Sequence, residues 1–322
     1  MKKQETLPDW VRTNLPDLRA RRALVTGGAG GLGFQAARGL ALAGAEVWIA
    51  DRDVERGMAA AAQLRGEISG ARVAFKALDL ADLAQVRAFA AQAGGIPLDI
   101  LVNNAGLLPP LERALTRDGF ELGFGVSVLG HYALTGALLE ALARSAAPRV
   151  VWVSSLVQAH GALDFEDLHG ERGYEPQRAY NQAKLASLML ALELDRRARA
   201  AGAHLASLSA HPGIARTAIG ASRKQQRHRR LRDWAEDAAL AIAMRCFGQD
   251  ADRGALPLLH AAAAADARSG RFYGPGGFGQ FAGPPREVTP SARAADAASA
   301  ARLWSVCESL TGVRYAWPAA RI

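Results

Sequence analysis

A tyrosine and a lysine stand four residues apart in the segment Tyr180-Asn-Gln-Ala-Lys184. On a helix, residues with this spacing share one face, and their side chains lie about one turn apart. A free phenol has a pKa of about 10, and a neighbouring ammonium lowers that value because it favours the phenolate. Such a tyrosine can exchange a proton with a substrate near neutral pH. Alone, the pair also fits an ordinary amphipathic helix with a surface lysine, so its meaning depends on the rest of the chain.

A glycine-rich turn, Thr26-Gly27-Gly28-Ala29-Gly30-Gly31-Leu32-Gly33, follows an apolar segment upstream of this pair. Glycine at such a turn lets the backbone approach a pyrophosphate, and the next helix presents its N–H groups and positive dipole end to that anion. We therefore predict that Gly27, Gly31, Leu32 and Gly33 bind a dinucleotide. Beside a bound nicotinamide, Tyr180 would handle the proton while the cofactor carries the hydride.

The choice between NAD and NADP depends on two adjacent residues, and each favours a different cofactor. Asp51 ends the second apolar segment, where a carboxylate can accept hydrogen bonds from both ribose hydroxyls of NAD and repel the 2′-phosphate of NADP. Arg52 follows directly and could hold that phosphate instead. The glycine-rich turn carries no lysine or arginine. The sequence favours NAD, with NADP as the open alternative.

Two further strand ends carry candidate cofactor contacts. In Leu78-Asp79-Leu80, Asp79 could contact the adenine amino group, or could cap the next helix. In the segment that ends the fourth strand, small residues let the cofactor lie close, and asparagine amides can brace the backbone. The candidate contacts from these two segments are Asp79, Leu80, Asn103, Ala105 and Gly106.

Short apolar segments alternate with longer helical patterns along most of the chain, which predicts a parallel sheet with helices on both faces. Their near-continuous apolar character is typical of strands buried on both sides. The seven predicted strands are 23–26, 46–51, 72–76, 99–103, 149–154, 204–209 and 270–273. The predicted helices are 34–43, 83–93, 120–144, 180–200 and 292–310. The fold class is therefore α/β, a doubly wound Rossmann-type sheet.

We predict one domain rather than two. Residues 1–17 are treated as an N-terminal extension and residues 18–322 as the domain, with a C-terminal helix at about 290–311. Residues 214–248 interrupt the alternation with charge, which suggests a substrate lid. The glycine-rich segment 274–279 follows the last predicted strand and is interpreted as a structural loop.

Composition excludes several classes of protein. No segment approaches the roughly 18 apolar residues of a membrane span, and the N-terminus does not resemble a signal peptide. The two cysteines, Cys246 and Cys307, and the seven histidines form no metal-ligand pattern, so we predict no metal site. The cysteines also form no disulfide pattern, and we therefore predict that the protein is located in the reducing cytoplasm. Much of the net charge of +8 lies in the tract Arg223–Arg232. This tract fits a solvated surface; an anionic group, a membrane surface or nucleic acid are the alternatives, and we expect no nucleic-acid partner.

Taken together, the glycine-rich turn, the Asn103–Gly106 segment and the Tyr180/Lys184 pair resemble the short-chain dehydrogenase/reductase family, over about residues 18–273. The wide spacing from Ser155 to Tyr180 and the Leu129-Gly130-His131 segment resemble its retinol dehydrogenase-like branch. The resemblance implies roles for particular residues. Ser155 rather than Ser154 would hold the substrate oxygen, Tyr180 would be the acid/base, Lys184 would bind the nicotinamide ribose, and Pro212, Gly213 and Thr217 would cover the nicotinamide amide.

One position departs from the family pattern. Members usually carry asparagine where this chain has Ser127, and that asparagine supports a water beside the lysine. A shorter hydroxyl either keeps the water or weakens the proton relay. The departure motivates an alternative function, a dinucleotide-binding regulatory protein with weakened catalysis.

The leading hypothesis is reversible oxidation of an alcohol to a ketone or aldehyde; reduction of an activated carbon–carbon double bond is a variant of it. Apolar residues in 107–111 and 156–160 favour a hydrophobic substrate. The resemblance also implies a homodimer or homotetramer, since the helices at 120–144 and 180–200 commonly form the subunit contact in this family.

Overall fold

The computed structural model describes residues 6–93, 95–216 and 248–317. Three predicted features lie outside these residues: the cofactor contact Thr217, the basic tract Arg223–Arg232 and nearly all of the lid at 214–248.

Eight strands form a single sheet at the centre of the molecule. They are β1 Arg22–Thr26, β2 Glu46–Asp51, β3 Arg72–Ala77, β4 Ile100–Asn103, β5 Arg149–Val153, β6 Ala206–Ala210, β7 Phe272–Pro275 and β8 Pro285–Val288. Their order across the sheet is β3-β2-β1-β4-β5-β6-β7-β8. All neighbours are parallel except β7 and β8, which are antiparallel. The order reverses between β1 and β4, and this is the point where open α/β sheets bind ligands.

Helices cover both faces of this sheet. They are α1 Leu7–Asn14, α2 Gly31–Leu42, α3 Val54–Glu67, α4 Leu83–Ala93, α5 Leu122–Phe124, α6 His131–Ala137, α7 Leu139–Ala143, α8 Pro176–Ala200, α9 Ala251–Gly254, α10 Leu256–Ala263, α11 Ala292–Ala295 and α12 Ala297–Thr311. A π-helix, Gly125–Gly130, joins α5 to α6, and short 3-10 turns span Leu156–His160 and Phe278–Gln280.

Alternate residues of each strand enter two separate cores. Leu24 belongs to the core under α4–α8 and α12, whereas its neighbours Ala23 and Val25 belong to the core under α1–α3 and α10. Val150 and Val151 of β5 divide in the same way. Both faces of the central strands β1, β2, β4 and β5 are therefore buried, as the near-continuous apolar segments predict, whereas the edge strands β3 and β8 are partly exposed.

The predicted α/β fold is confirmed, and all seven predicted strands are present with ends shifted by a few residues. The strand β8 was missed, because Pro-Arg-Glu-Val is short, charged and without alternation. The interpretation of 274–279 as loop is wrong at its start, since Gly274 and Pro275 pair with β8. A proline and charged residues on an edge strand are typical devices against further strand pairing.

The helix predicted at 120–144 begins at Leu122, contains the π-helical turn Gly125–Gly130 and is interrupted at Leu138, where the backbone leaves helical geometry. Four glycines lie within it, at positions 123, 125, 130 and 136. Two of them allow close packing: a β-carbon at Gly130 would lie 2.5 Å from the Leu80 carbonyl oxygen, and one at Gly136 would lie 2.5 Å from the Tyr315 ring. A π-helix inside a helical segment frequently marks a functional site, and this one contains Ser127.

The C-terminal segment covers the outer face of α6 and α8. Trp304 of α12 packs against Tyr132 and Tyr315, with ring centroids 5.0 and 4.5 Å away, and the Arg197 guanidinium lies 4.7 Å from the Trp304 ring. The Tyr315 hydroxyl donates to the Tyr132 carbonyl at 2.9 Å. The helices expected to form a subunit contact are thus covered by their own chain.

The segment treated as an N-terminal extension contains the helix α1. Leu7, Trp10 and Val11 are buried in the core that also holds α2. Among the described residues, none of the helices combines the length and the apolar composition needed to cross a membrane.

We expect Trp304→Ala to lower the free energy of unfolding by about 3–5 kcal/mol, since it removes a large side chain that is 2% exposed. Urea titration followed by circular dichroism measures this change. Ser305→Ala, on the exposed face of the same helix, is the control and should change stability by less than about 0.5 kcal/mol. Equal effects of the two substitutions would show that the α12 contact does not stabilise the domain.

Candidate active site

A cavity of about 600 Å³ opens at the carboxyl ends of the strands, around the point where the strand order reverses. It extends from the glycine-rich turn after β1 to Ser155, Tyr180 and Lys184. The pieces that the sequence places far apart along the chain therefore line one continuous space.

The glycine-rich turn is shaped for close approach of backbone to backbone. Gly27 has a φ of +64°, which L side chains rarely adopt. A β-carbon at Gly33 would lie 2.2 Å from the Gly27 carbonyl oxygen and 2.4 Å from Asn104 Nδ2. Gly30 precedes α2 without a capping side chain, so the first N–H groups of that helix face the cavity end. This geometry fits a pyrophosphate.

The turn after β4 is joined to the turn after β1 by polar groups of both. The Thr26 hydroxyl accepts hydrogen bonds from the backbone N–H groups of Asn104 at 2.9 Å and Ala105 at 3.0 Å. Asn104 Nδ2 donates to the Thr26 carbonyl at 2.7 Å. Ala105 and Gly106 consequently lie in the cavity wall.

The side chain of Asn103, a predicted cofactor contact, is turned away from the cavity. It is 2% exposed, donates to Thr135 Oγ1 at 2.8 Å and is not among the residues that line the cavity. Successive strand residues point in opposite directions, and the next residue, Asn104, lines the cavity. Asp79 and Leu80 do line the cavity, and Asp79 also accepts from the backbone N–H of Ala81 at 2.9 Å.

One acidic residue, Asp51, and two arginines lie at the cavity near the end of β2. The two oxygens of Asp51 accept from the backbone N–H groups of Ala29 at 3.2 Å and Asp53 at 3.1 Å. Arg52 also lines the cavity, as predicted. Arg56 was missed: it stands one turn into α3, and its guanidinium would lie 2.9 Å from a β-carbon at Gly30.

Ser155 and Tyr180 are brought together, and Ser154 is turned away. Ser154 Oγ is buried and donates to the Lys184 carbonyl at 2.7 Å, which holds β5 against α8. Ser155 lies near Tyr180, and both residues line the cavity. Strand alternation separates the two serines as expected, with Ser155 on the side of the phenol.

Tyr180 and Lys184 share one face of α8, as their spacing predicts. Lys184 is 5% exposed, its Nζ donates to the Val153 carbonyl at 3.1 Å, and it lies 5.9 Å from the centre of the Tyr180 ring. Burial lowers the pKa of Lys184 to about 8, because a dry environment disfavours the ammonium.

The pKa of Tyr180 moves in the opposite direction from the sequence-based expectation. Burial raises it to about 12, and the hydrogen bond from Ser155 opposes that rise. Desolvation of the phenolate thus outweighs the favourable contacts that the protein itself supplies.

Ser127 lies beside the lysine, on the π-helix, and is 3% exposed. A β-carbon at Gly106 would lie 3.4 Å from both Ser127 Oγ and Lys184 Nζ. The serine hydroxyl and the lysine ammonium therefore both lie beside Gly106 in the cavity wall.

The segment after β6 closes the cavity from another side. Pro212 and Gly213 line it as predicted. His211, which was missed, accepts from the Gly213 backbone N–H through Nδ1 at 3.2 Å, so its Nε2–H is the group facing Gln280 Oε1 at 3.0 Å. The buried imidazole thereby orders the Pro212-Gly213 turn.

The cavity lining also carries aliphatic side chains from the segments predicted to favour a hydrophobic substrate and from the turn after Pro212-Gly213. They are Leu107, Leu108, Leu156, Val157 and Ile214. No group of three or more acidic, histidine or cysteine side chains that could hold a metal is found among residues 6–93, 95–216 and 248–317.

Fold and cavity together define a dinucleotide-binding protein of the Rossmann type. A family model described as short chain dehydrogenase matches residues 21–228. Mouse polyprenol dehydrogenase is 40% identical over 309 residues, covering 92% of this chain and 86% of that protein. Human retinol dehydrogenase 12 is 36% identical over 312 residues, covering 94% and 90%.

Among solved structures, an uncharacterised protein from Mycobacterium paratuberculosis aligns with a TM-score of 0.77 and 38% identity, covering 95% of this chain and 99% of that one. The chain belongs to the short-chain dehydrogenase/reductase family, in its retinol dehydrogenase-like branch, and is an NAD(P)-dependent oxidoreductase.

We expect Gly33→Ala to raise the dissociation constant for NADH by about tenfold or more, because the new methyl group displaces the Gly27 carbonyl from the turn. Fluorescence titration of NADH measures it. Gly66→Ala is the matched control, since a β-carbon there meets nothing within 4 Å. NADH binding that Gly33→Ala leaves unchanged would place the dinucleotide elsewhere.

Proposed function

We propose that this enzyme interconverts an alcohol and a carbonyl on a hydrophobic small molecule, with Tyr180 as the general acid/base. The observation that carries the proposal is the convergence of Tyr180, Ser155 and Lys184 in one cavity with the glycine-rich turn. The residues present fit NAD(P), which supplies the hydride acceptor or donor.

In the direction of carbonyl reduction, Tyr180 gives its proton to the developing alkoxide. With a pKa raised to about 12 by burial, the phenol holds that proton at neutral pH. Ser155 donates a hydrogen bond to the same substrate oxygen, which stabilises the charge where it changes.

In the direction of oxidation, Tyr180 must lose its proton before it can act as the base. The Lys184 ammonium lies on the same helix face, where its positive charge would favour the phenolate. Lys184 would also donate to the ribose of the nicotinamide half. Gly27, Gly31, Leu32 and Gly33 would hold the pyrophosphate, and Pro212 and Gly213 would cover the nicotinamide.

The apolar part of the cavity supports a hydrophobic substrate. Leu107, Leu108, Leu156, Val157 and Ile214 contribute aliphatic side chains to its lining, and burying an apolar chain against them is favourable by roughly 25 cal/mol per Å². The printed names of the relatives, polyprenol and retinol dehydrogenase, agree with an apolar alcohol.

Asp51 supports NAD as the preferred cofactor. Its carboxylate is fixed by the N–H groups of Ala29 and Asp53 and retains lone pairs for the ribose hydroxyls. Arg52 and Arg56 also line the cavity and could bind a 2′-phosphate by donating hydrogen bonds to it. The proposal is therefore a preference for NAD rather than exclusion of NADP.

The alternative of a regulatory dinucleotide-binding protein rests on Ser127. The serine side chain is shorter than the asparagine usual at this position, so it reaches less far toward Lys184. A regulator would bind NADH yet oxidise or reduce nothing in a broad panel of apolar alcohols and carbonyls; turnover of any member of the panel would exclude it.

Assembly and location stay predictions. A homodimer or homotetramer would need a surface other than the outer faces of α6 and α8, which α12 occupies. A cytoplasmic location is compatible with the helices that the structure describes.

We expect Tyr180→Phe to lower kcat by about 10² or more, the usual effect of losing an acid/base group. The dissociation constant for NADH should stay within about twofold, because the ring remains. Steady-state kinetics with an apolar alcohol and NADH titration give the two values. Tyr273→Phe, whose hydroxyl accepts from Arg268 away from the cavity, is the control. A phenylalanine variant with unchanged kcat would remove Tyr180 from the mechanism.

We expect Asp51→Asn to weaken NADH binding by about tenfold, since it removes a charged acceptor of ribose hydroxyls, and to bind NADPH at least as well as the parent. The ratio of the two dissociation constants measures the change. Asp53→Asn serves as the comparison, because Asp53 caps α3 without lining the cavity. Parallel losses for both cofactors would mean that Asp51 acts only on the fold.

A further inference from the structure

A buried histidine connects the cofactor side of the cavity to the lysine side. His131 is the first residue of α6 and is 1% exposed. Its Nε2 lies 2.8 Å from the Thr26 hydroxyl at the end of β1, and its Nδ1 lies 3.1 Å from the Ser127 carbonyl in the π-helix. The imidazole thus bridges two segments that are about a hundred residues apart in the sequence.

Hydrogen-bond counting assigns the direction of both contacts. A hydroxyl has one donor and two acceptor positions. The Thr26 hydroxyl already accepts from the backbone N–H groups of Asn104 and Ala105, so it donates its proton. The His131 nitrogen at 2.8 Å is the nearer of its two acceptors, since the Val102 carbonyl is 3.2 Å away. His131 therefore accepts at Nε2, and its Nδ1–H donates to Ser127.

The opposite arrangement leaves two conflicts. A proton on Nε2 would point at a hydroxyl that already receives two hydrogen bonds. The bare Nδ1 would then face the Ser127 carbonyl oxygen at 3.1 Å, acceptor against acceptor. The same burial keeps the ring neutral: it lowers the pKa of His131 to about 3, and the nearby Lys184 charge acts in the same direction.

Among the side chains of the described residues, this imidazole is the closer of two donors to the Ser127 carbonyl. The other is the Ser187 hydroxyl at 3.3 Å, whose single proton lies closer to the Ala183 carbonyl at 2.9 Å. The backbone of Ser127 in turn sets where its hydroxyl approaches Lys184 across Gly106.

We propose that His131 is a positioning residue, a neutral imidazole protonated at Nδ1. Thr26 fixes the imidazole by donating to Nε2, and the imidazole fixes Ser127 by donating to its carbonyl. The Ser127 hydroxyl is thereby kept beside the Lys184 ammonium. This inference rests on the proposed function. It assigns to His131 no contact with substrate or cofactor.

Two substitutions separate the hydrogen bonds from the packing. His131→Gln keeps one acceptor and one donor in the side chain, whereas His131→Met fills a similar volume with neither. We expect kcat to fall by about tenfold to a hundredfold for His131→Met, and to stay within about threefold of the parent for His131→Gln. NADH binding should change by no more than about twofold in either variant, because Thr26 keeps its bonds to Asn104 and Ala105.

Loss of stability alone is distinguished by a matched control. Val47→Ala removes two methyl groups from a fully buried position near the amino end of β2, away from the cavity. It should lower the melting temperature and leave kcat unchanged. If His131→Met loses no more turnover than Val47→Ala, or if both His131 variants lose turnover equally, the proposal is wrong.

The tautomer is tested directly by nitrogen NMR of histidine-labelled enzyme. We expect the His131 ring to be neutral from pH 5 to 8, with the proton on Nδ1; a proton on Nε2 would overturn the proposal. Tyr180→Phe is measured in the same series. If that variant keeps full turnover, the proposed chemistry fails, while the tautomer result still decides the inference about His131.

Discussion

Contact between the turns after β1 and β4 is the constraint on which the site depends. Thr26 and Asn104 each bond to the other's backbone, by 2.9 Å and 2.7 Å contacts. That contact leaves no room for a side chain at Gly33, whose β-carbon would meet both turns. The carboxyl ends of two parallel strands would otherwise carry unpaired groups. Joined in this way, they form a rigid wall against which a flat ligand can lie.

Burial shifts the pKa values of Tyr180 and Lys184 in opposite directions. Removal from water raises the pKa of Tyr180 to about 12 and lowers that of Lys184 to about 8. Each shift favours the neutral form. The protein therefore does not preform a phenolate beside an ammonium. It keeps the tyrosine protonated and leaves the lysine near its titration point.

Much of the fold could be predicted from the sequence because its signals are local. The apolar strands, the glycine-rich turn and the spacing of Tyr180 and Lys184 depend on residues a few positions apart. Alternation along β5 also separated Ser154 from Ser155 correctly. The same alternation at the end of β4 was not applied, and Asn103 was chosen where Asn104 lines the cavity.

Features that depend on distant contacts could not be found in this way. The π-helix lies where Gly125 and Gly130 let the backbone approach Thr116 and Leu80. His131 and His211 look like isolated histidines in the sequence, and their roles follow only from the atoms that face them. The sequence hardly distinguishes Arg56 from the other exposed charged residues of α3. The strand β8 pairs with β7 although its own composition favours neither strand nor helix.

Lys184 belongs to a long buried stretch of α8. Every residue of α8 from Gln182 to Asp195 is buried, whereas a helix at a protein surface normally buries only one stripe. One side of α8 packs on the sheet, and the C-terminal helix α12 covers the other. Trp304 of α12 and Tyr315 therefore occupy this outer surface, next to Tyr132 and Arg197. A subunit contact through this part of α8 would have to displace Trp304 and its aromatic neighbours first.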